Sequence, residues 1–468
     1  MRRALLVLSC LLFALPAPLD VAAGVAIQTA GAGQIREAPQ NPLPDARFKA
    51  DMLVIVAHPD DETMVTGYLA RAIFDEQKRA AAIFGTPGNS GGDAVSNAQA
   101  AALGDVRISE AREALASFGV LHVWCLGGPD TPGQNVLRSL ETWNHGNALW
   151  QAVRLVRLTR PEVILTWLPD YVVGENHDDH QASAVIATEA FDMAGDPTAF
   201  PEQVAAPDNR TGISNLVEGL EPWQPKKIYY FSDADSTDFM SGKGPEYNTT
   251  DISTSKHVPY YKLAAEEMAY HLTQDDTGQL AKHALETGDF TYFKQPVRLV
   301  LGKSLVAGSV TGDIFEGIAP GAIAYAPVRG YQLEGRKGIS LELGGPWAFY
   351  QDFWRAHNLE HLAELIKTPE MAVGGGEQIH VPLLIRNGTD EALQVTLTST
   401  LPPGWKELRG TARYPVRPHS VYPVQTLYEA AATAKPEWQT LHWTAESRGQ
   451  AVGTVTLRAR TDSSGLPQ

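Results

Sequence analysis

Met52-Leu53-Val54-Ile55-Val56-Ala57-His58-Pro59-Asp60-Asp61-Glu62 is the stretch that decides the fold. Its apolar start runs without polar alternation, which describes a strand buried on both faces, as in a parallel sheet covered by helices. The turn that follows is not Gly-rich, which argues against a dinucleotide-binding dehydrogenase. It sets a His and two Asp at the carboxyl end of the strand instead, where open parallel sheets bind their ligands.

Outward from this stretch the pattern alternates. A helical period runs from Glu62 to about Gln77, and a strand covers Ala80 to Phe84. A helix from about Asp105 to Phe118 leads to a strand over His122 to Leu126. A helix from Asn147 to Leu158 leads to the strand Val163 to Trp167 and a helix opening near His180. Lys227 to Phe231 reads as a further strand and Tyr260 to Leu272 as an amphipathic helix. This predicts an α/β fold over 48–345, a Rossmann-like, mostly parallel sheet with helices on both faces. A helical connector over 346–376 ends at Gly374-Gly375-Gly376. Beyond it the apolar period becomes two, at Leu393, Val395 and Leu397 and again at Val455, Leu457 and Ala459. That period predicts a C-terminal antiparallel β-sandwich over 377–462.

With 468 residues the chain exceeds one ordinary core, and its 44% hydrophobic and 20% charged residues are those of a globular protein. A formal net charge of −16 argues against nucleic acid or an anionic membrane as partner. Residues 1–23 read as a signal peptide: Arg2-Arg3, the apolar run Ala4 to Leu15, then Val21-Ala22-Ala23. Residues 24–47 read as a linker. The expected location is periplasmic or secreted, with no integral membrane span in the mature chain, because the apolar run falls short of about 20 residues. Cys10 lies in the signal, and Cys125 in an apolar segment reads as a structural thiol.

Two loops carry the chemistry. His58 and Asp61, three apart at the opening of a helix, can face one point. His177-Asp178-Asp179-His180 follows another strand of the same sheet, on the same rim. His180 can complete a His-His-Asp set, the donor types of a catalytic Zn²⁺ with a position left for water. Asp60 is then free to act as a base, His177 serves proton or charge work, and Asp179 orients His177. Either loop alone also fits a solvated turn or cap; their common rim argues for a metal site.

The unbroken Ala57-His58-Pro59-Asp60-Asp61-Glu62 motif and the His177 to His180 motif resemble those of the PIG-L/LmbE-like zinc N-acetylglucosaminyl deacetylases. Thr86, Gly88 and Gly91, the Arg107-to-Gly119 helix, and Lys262, His271 and Gln274 are similar to weaker family features, so the resemblance spans about Met52 to Gln274. It implies an N-deacetylase with one Zn²⁺ per chain held by His58, Asp61 and His180. It further implies Asp60 as general base, His177 as electrostatic or acid partner, and Arg107 as a substrate-binding residue. Glu62 either contacts the sugar or supports the site from behind. The expected substrate is a small molecule or glycan bearing an N-acetyl group. A zinc amidase acting on another acylated amine is the alternative within enzymes, and a non-catalytic glycan-binding protein is the alternative outside them. Val381 to Trp405 resembles the NEW3-like sandwiches appended to bacterial carbohydrate enzymes, which implies glycan or cell-wall contact or else a spacer role.

Overall fold

The computed structural model describes residues 45–131, 133–171, 177–204, 220–234, 236–330, 337–365, 368–432 and 437–462. The expected signal over 1–23 and the linker up to residue 44 lie outside them. Among the described residues no helix is long and apolar enough to cross a membrane.

The chain enters the sheet at β1 (Met52–Val56), followed by α1 (Thr63–Ala70), β2 (Ala80–Phe84), α2 (Ala101–Ser117) and β3 (Val123–Cys125). Then come α3 (Val136–Thr142), α4 (His145–Thr159), β4 (Val163–Trp167), α5 (Asp178–Met193) and β5 (Lys227–Phe231). The short β6 (Glu246–Tyr247) pairs with β7 (Val297–Arg298) around α6 (Tyr260–Met268) and α7 (Leu280–Thr287), and β8 (Val300–Ser304) follows. Strand order is β3-β2-β1-β4-β5-β8. All pairings are parallel except that of β5 with the edge strand β8. Chain order reverses on either side of β1, so the crevice between β1 and β4 is the switch point where such sheets bind ligands.

The apolar run of β1 serves two layers at once. Leu53, Ile55 and Ala57 pack with α3, α4 and α5 on one face, while Met52, Val54 and Val56 pack with α1, α2 and α6 on the other. A strand buried on both faces has no use for alternation, which is why the sequence shows none.

The remaining elements are β9 (Ile339–Leu343), α8 (Pro346–Ala356), α9 (Glu360–Ala363), β10 (Glu370–Gly374), β11 (Gln378–Asn387), β12 (Leu393–Thr400), β13 (Lys406–Arg409), β14 (Ala412–Val416), β15 (Ser420–Glu429), β16 (Glu437–Ser447) and β17 (Gln450–Asp462). They form sheets in the orders β10-β17-β16-β12-β14 and β13-β15-β11-β9. Val381, Leu383 and Ile385 of one sheet share a core with Val395, Leu397, Trp443 and Leu457 of the other.

Two features differ from the boundaries read in sequence. β9 pairs antiparallel with β11, and β10 pairs parallel with β17, so the sandwich recruits strands from 339–343 and 370–374, outside 377–462. The helical connector also packs into both cores. Tyr350, Phe353 and Trp354 of α8 are buried in the α/β core, while Trp347 packs against the sandwich core.

Candidate metal centre and active site

The turn after β1 is organised by Asp61. Its Oδ2 accepts the backbone N–H groups of Ala57 (2.9 Å) and His58 (3.0 Å) and the Trp167 indole N–H (2.7 Å). Three donors saturate that oxygen, and Oδ1 is left facing two imidazoles. His58 Nδ1 lies 3.6 Å from it and His180 Nε2 3.2 Å. His180 is delivered by the first turn of α5 and lies flat on Trp167, with ring centres 4.2 Å apart at 6°. The expected ligand trio is therefore brought to one carboxylate oxygen.

Charge in this corner is arranged for a cation. Burial opposes ionisation of Asp61, yet His180 and His58 hold its carboxyl well below the usual range. Burial pushes His180 down to about 4 against the pull of Asp61, so this imidazole stays neutral, as a ligand must be. Burial also works against a proton on His58, but Asp61, Asp179 and Asp130 outweigh it and raise this group well above an ordinary imidazole. His58 Nε2 lies 3.4 Å from Asp179 Oδ2 and 3.9 Å from Asp130 Oδ1. A carboxylate holding the far nitrogen of a histidine, with the near nitrogen aimed at the donor set, is the usual support of a metal ligand. The donors fit a divalent transition metal. Alternative sets are also within reach of one another: the ring nitrogens of His58, His177 and His180, and a trio of His58, Asp130 and Asp179.

The Asp179 carboxylate does not orient His177, as the sequence suggested; only its backbone N–H reaches that ring. Its carboxylate serves His58 and accepts the Thr131 N–H (2.8 Å) and hydroxyl. Successive helical residues are set about 100° apart, so it is Asp178, 3.5 Å away, whose carboxylate lies beside His177 Nδ1. His177 caps α5 by accepting the Asp179 N–H at Nδ1 (3.3 Å). Its ring centre lies 5.0 Å from that of His58 and 4.2 Å from that of His180.

Asp60 sits at φ 106, outside the usual range for a residue with a Cβ. Its N–H donates to Glu62 Oε2 (2.9 Å), and its Oδ2 accepts the Thr277 hydroxyl (2.9 Å). Burial first, then Asp61, push its carboxyl up to about 7.

Glu62 does not face the cavity. It is fully buried, with Oε1 3.1 Å from His271 Nε2, and Glu267 completes a buried trio with these two. Of the two readings left open, only support from behind agrees with this position. His271 and Gln274 both reach the loop: Gln274 Nε2 donates to the Pro59 carbonyl (2.7 Å), so the segment after α6 fastens the metal loop twice. Arg107 lies on the cavity wall, but its guanidinium is engaged with the carbonyls of Gly88 (3.0 Å), Ser90 (3.1 Å) and Gly92 (2.8 Å). It staples the loop after β2. Gly88 adopts φ +70 there, and a Cβ would meet Arg107 Cδ at 3.1 Å and Pro59 Cδ at 3.2 Å.

Sequence reading missed Asp130, Thr131, Trp167 and Asp233, whose Oδ2 lies 3.8 Å from His180 Nδ1. Each sits at or just beyond the carboxyl end of β3, β4 or β5, so the rim rule that found the two histidine loops could have found these as well. The whole arrangement opens into a cavity of about 1960 Å³.

Residues 53–191 match the family model described as PIG-L, GlcNAc-PI de-N-acetylase. The 1D-myo-inositol 2-acetamido-2-deoxy-alpha-D-glucopyranoside deacetylase 1 of Catenulispora acidiphila is 28% identical over 312 residues, covering 60% of this chain and 94% of that one. The corresponding deacetylase of Streptomyces avermitilis is 27% identical over 309 residues, covering 59% and 99%. Among solved structures, the N,N'-diacetylchitobiose deacetylase of Pyrococcus horikoshii is similar over 54% of this chain and 84% of its own, at 16% identity and a TM-score of 0.38.

Proposed function

We propose, from the match of residues 53–191 to the PIG-L de-N-acetylase family model, that the chain is a zinc-dependent hydrolase removing the N-acetyl group from an N-acetylglucosamine unit of a glycan or glycoconjugate. The observation that carries this reading is the convergence of His58 and His180 on the one Asp61 oxygen not consumed by backbone and indole donors. A cation held by His58, Asp61 and His180 supplies, when bound, the Lewis acidity that an unreactive amide carbonyl needs.

The chain's own residues divide the remaining work. Hydrolysis forms a carbon–oxygen bond from water and breaks the carbon–nitrogen bond, so one proton leaves water and one must reach the departing nitrogen. Asp60, raised to about 7 and lining the cavity, takes the first and can return it to the amine. His177 stands beside the ligand imidazoles, where a positive ring would stabilise the charge that develops on the carbonyl oxygen. Arg107, His271 and Gln274 keep the loops in register, and the Thr277 hydroxyl donates to the Asp60 carboxylate that handles the proton.

Metal analysis of the purified protein, run with acetate release from N-acetylglucosamine and its oligomers, tests this. The expected result is about one zinc per chain. Asp60→Asn should keep the metal and lose on the order of 10²–10⁴ in kcat. Failure to bind any divalent metal when zinc is supplied would sink the reading.

A further inference from the structure

We propose that the C-terminal sandwich is a wall of the substrate cleft and gives the enzyme a preference for extended oligosaccharides over single amino sugars; this rests on the deacetylase reading above. The cavity that holds His58, Asp60 and His177 is also lined by Ala372, Val373 and Gly374 of β10 and by Arg460 of β17. At about 1960 Å³ it is larger than the roughly 300–1,000 Å³ of an ordinary small-ligand site, so one sugar ring would fill only part of it.

The sandwich is seated on the site, not tethered near it. β10 is an edge strand, and its outward edge meets Gln134. Ala372 N–H donates to Gln134 Oε1 (2.9 Å), and Gln134 Nε2 donates to the Ala372 carbonyl (3.2 Å). That pair satisfies both outward backbone groups of Ala372 on this edge. Gln134 lies three residues after Thr131, which holds Asp179, so its backbone is within about 11 Å of chain reach of that contact. A second fixture lies on α8, where the Tyr350 hydroxyl donates to Gln181, the residue after His180. With two fixtures so close to the ligands, the wall keeps its distance from the metal loop. Arg460 sits half-buried on that wall, where a guanidinium can donate to sugar hydroxyls.

The test compares wild type, Arg460→Ala and Ala372→Phe, the second of which fills the cleft without removing a charge. Acetate release is measured on N-acetylglucosamine, its dimer, trimer and tetramer. In the wild type kcat/KM should rise at least tenfold from monomer to tetramer. Both variants should lose at least fivefold of that tetramer-to-monomer ratio, and the loss should lie in KM. Calorimetric titration with the corresponding glucosamine oligomers, which carry no acetyl group to hydrolyse, gives a second readout. Affinity should rise with length in wild type and flatten in both variants, while thermal melting reports that each is folded. A wild type flat with length in both readouts, or variants that keep the wild-type ratio, would overturn the proposal. If wild type released no acetate from any oligomer, the deacetylase reading would fail. The titration alone would then decide whether the sandwich is a wall of the cleft.

Discussion

Asp61 divides its two oxygens between fold and chemistry, and the residues around it follow the same division. One oxygen ties β1 to β4 through Trp167, and the other faces the imidazoles. Asp179 is the support on the far side of His58, so Asp179→Asn should weaken zinc binding by about 10–100-fold with little change in the fold, measured by competition with a chelator. The buried trio behind the loop makes a different prediction. Burial opposes a proton on His271, but Glu62 outweighs it and brings the ring up to about 9. Burial and then Glu62 push Glu267 up to about 8. Both folded values lie above the ordinary ones, 6.5 for His and 4.5 for Glu. The His271 contribution is therefore complete below about pH 6.5 and lost as pH rises through about 9. That of Glu267 fades between about 4.5 and 8. Stability should fall between about pH 6.5 and 9, and Glu267→Gln, which cannot lose a proton, should show a smaller drop in Tm over that interval. An equal drop in both proteins would contradict this account of the trio.

Among elements, the turn after α5 shows how far one side chain can organise a loop. Arg157 of α4 is buried and donates to the carbonyls of Ala194, Asp196, Ala199 and Phe200 and to the Gln203 side chain. Burial lowers it only to about 10, so it stays charged at neutral pH. Arg157→Met would leave several buried acceptors without donors, at about 1–3 kcal/mol each. A loss of at least about 3 kcal/mol is expected in urea unfolding. Such long-range ties mark the limit of what sequence could tell. β1 and β4 were legible because strands buried on both faces have no polar alternation, and His58, Asp61 and His180 were legible because they follow such strands. The partner of Asp179 was not, since one residue's rotation around α5 decides whether 178 or 179 meets His177. Nor was the Glu62–His271 pair, which joins residues more than two hundred positions apart on no shared periodicity. β9 was missed because its five residues have a place only beside β11, which comes after α8 and β10.

At the scale of the whole molecule, α8 couples the two cores. Its aromatic face completes the α/β layer while Trp347 leans on the sandwich. Residues 45–462 should therefore melt as one cooperative transition. Scanning calorimetry that resolved two independent transitions would show that the cores are separable. The same interleaving bears on how such a gene can be rebuilt or can have been assembled. β9 lies before α8 and β10 after it, and each is an edge of its sheet. A recombination point at the glycine run 374–376, which looks like the natural seam, would hand over a sandwich stripped of one edge strand in each sheet. A transferable cassette would have to begin before Ile339, and it would carry α8, a helix whose aromatic side needs the α/β partner it left. The sandwich of this chain is thus not separable from its enzyme at that seam, and a tail cut there should not fold without the strands left behind.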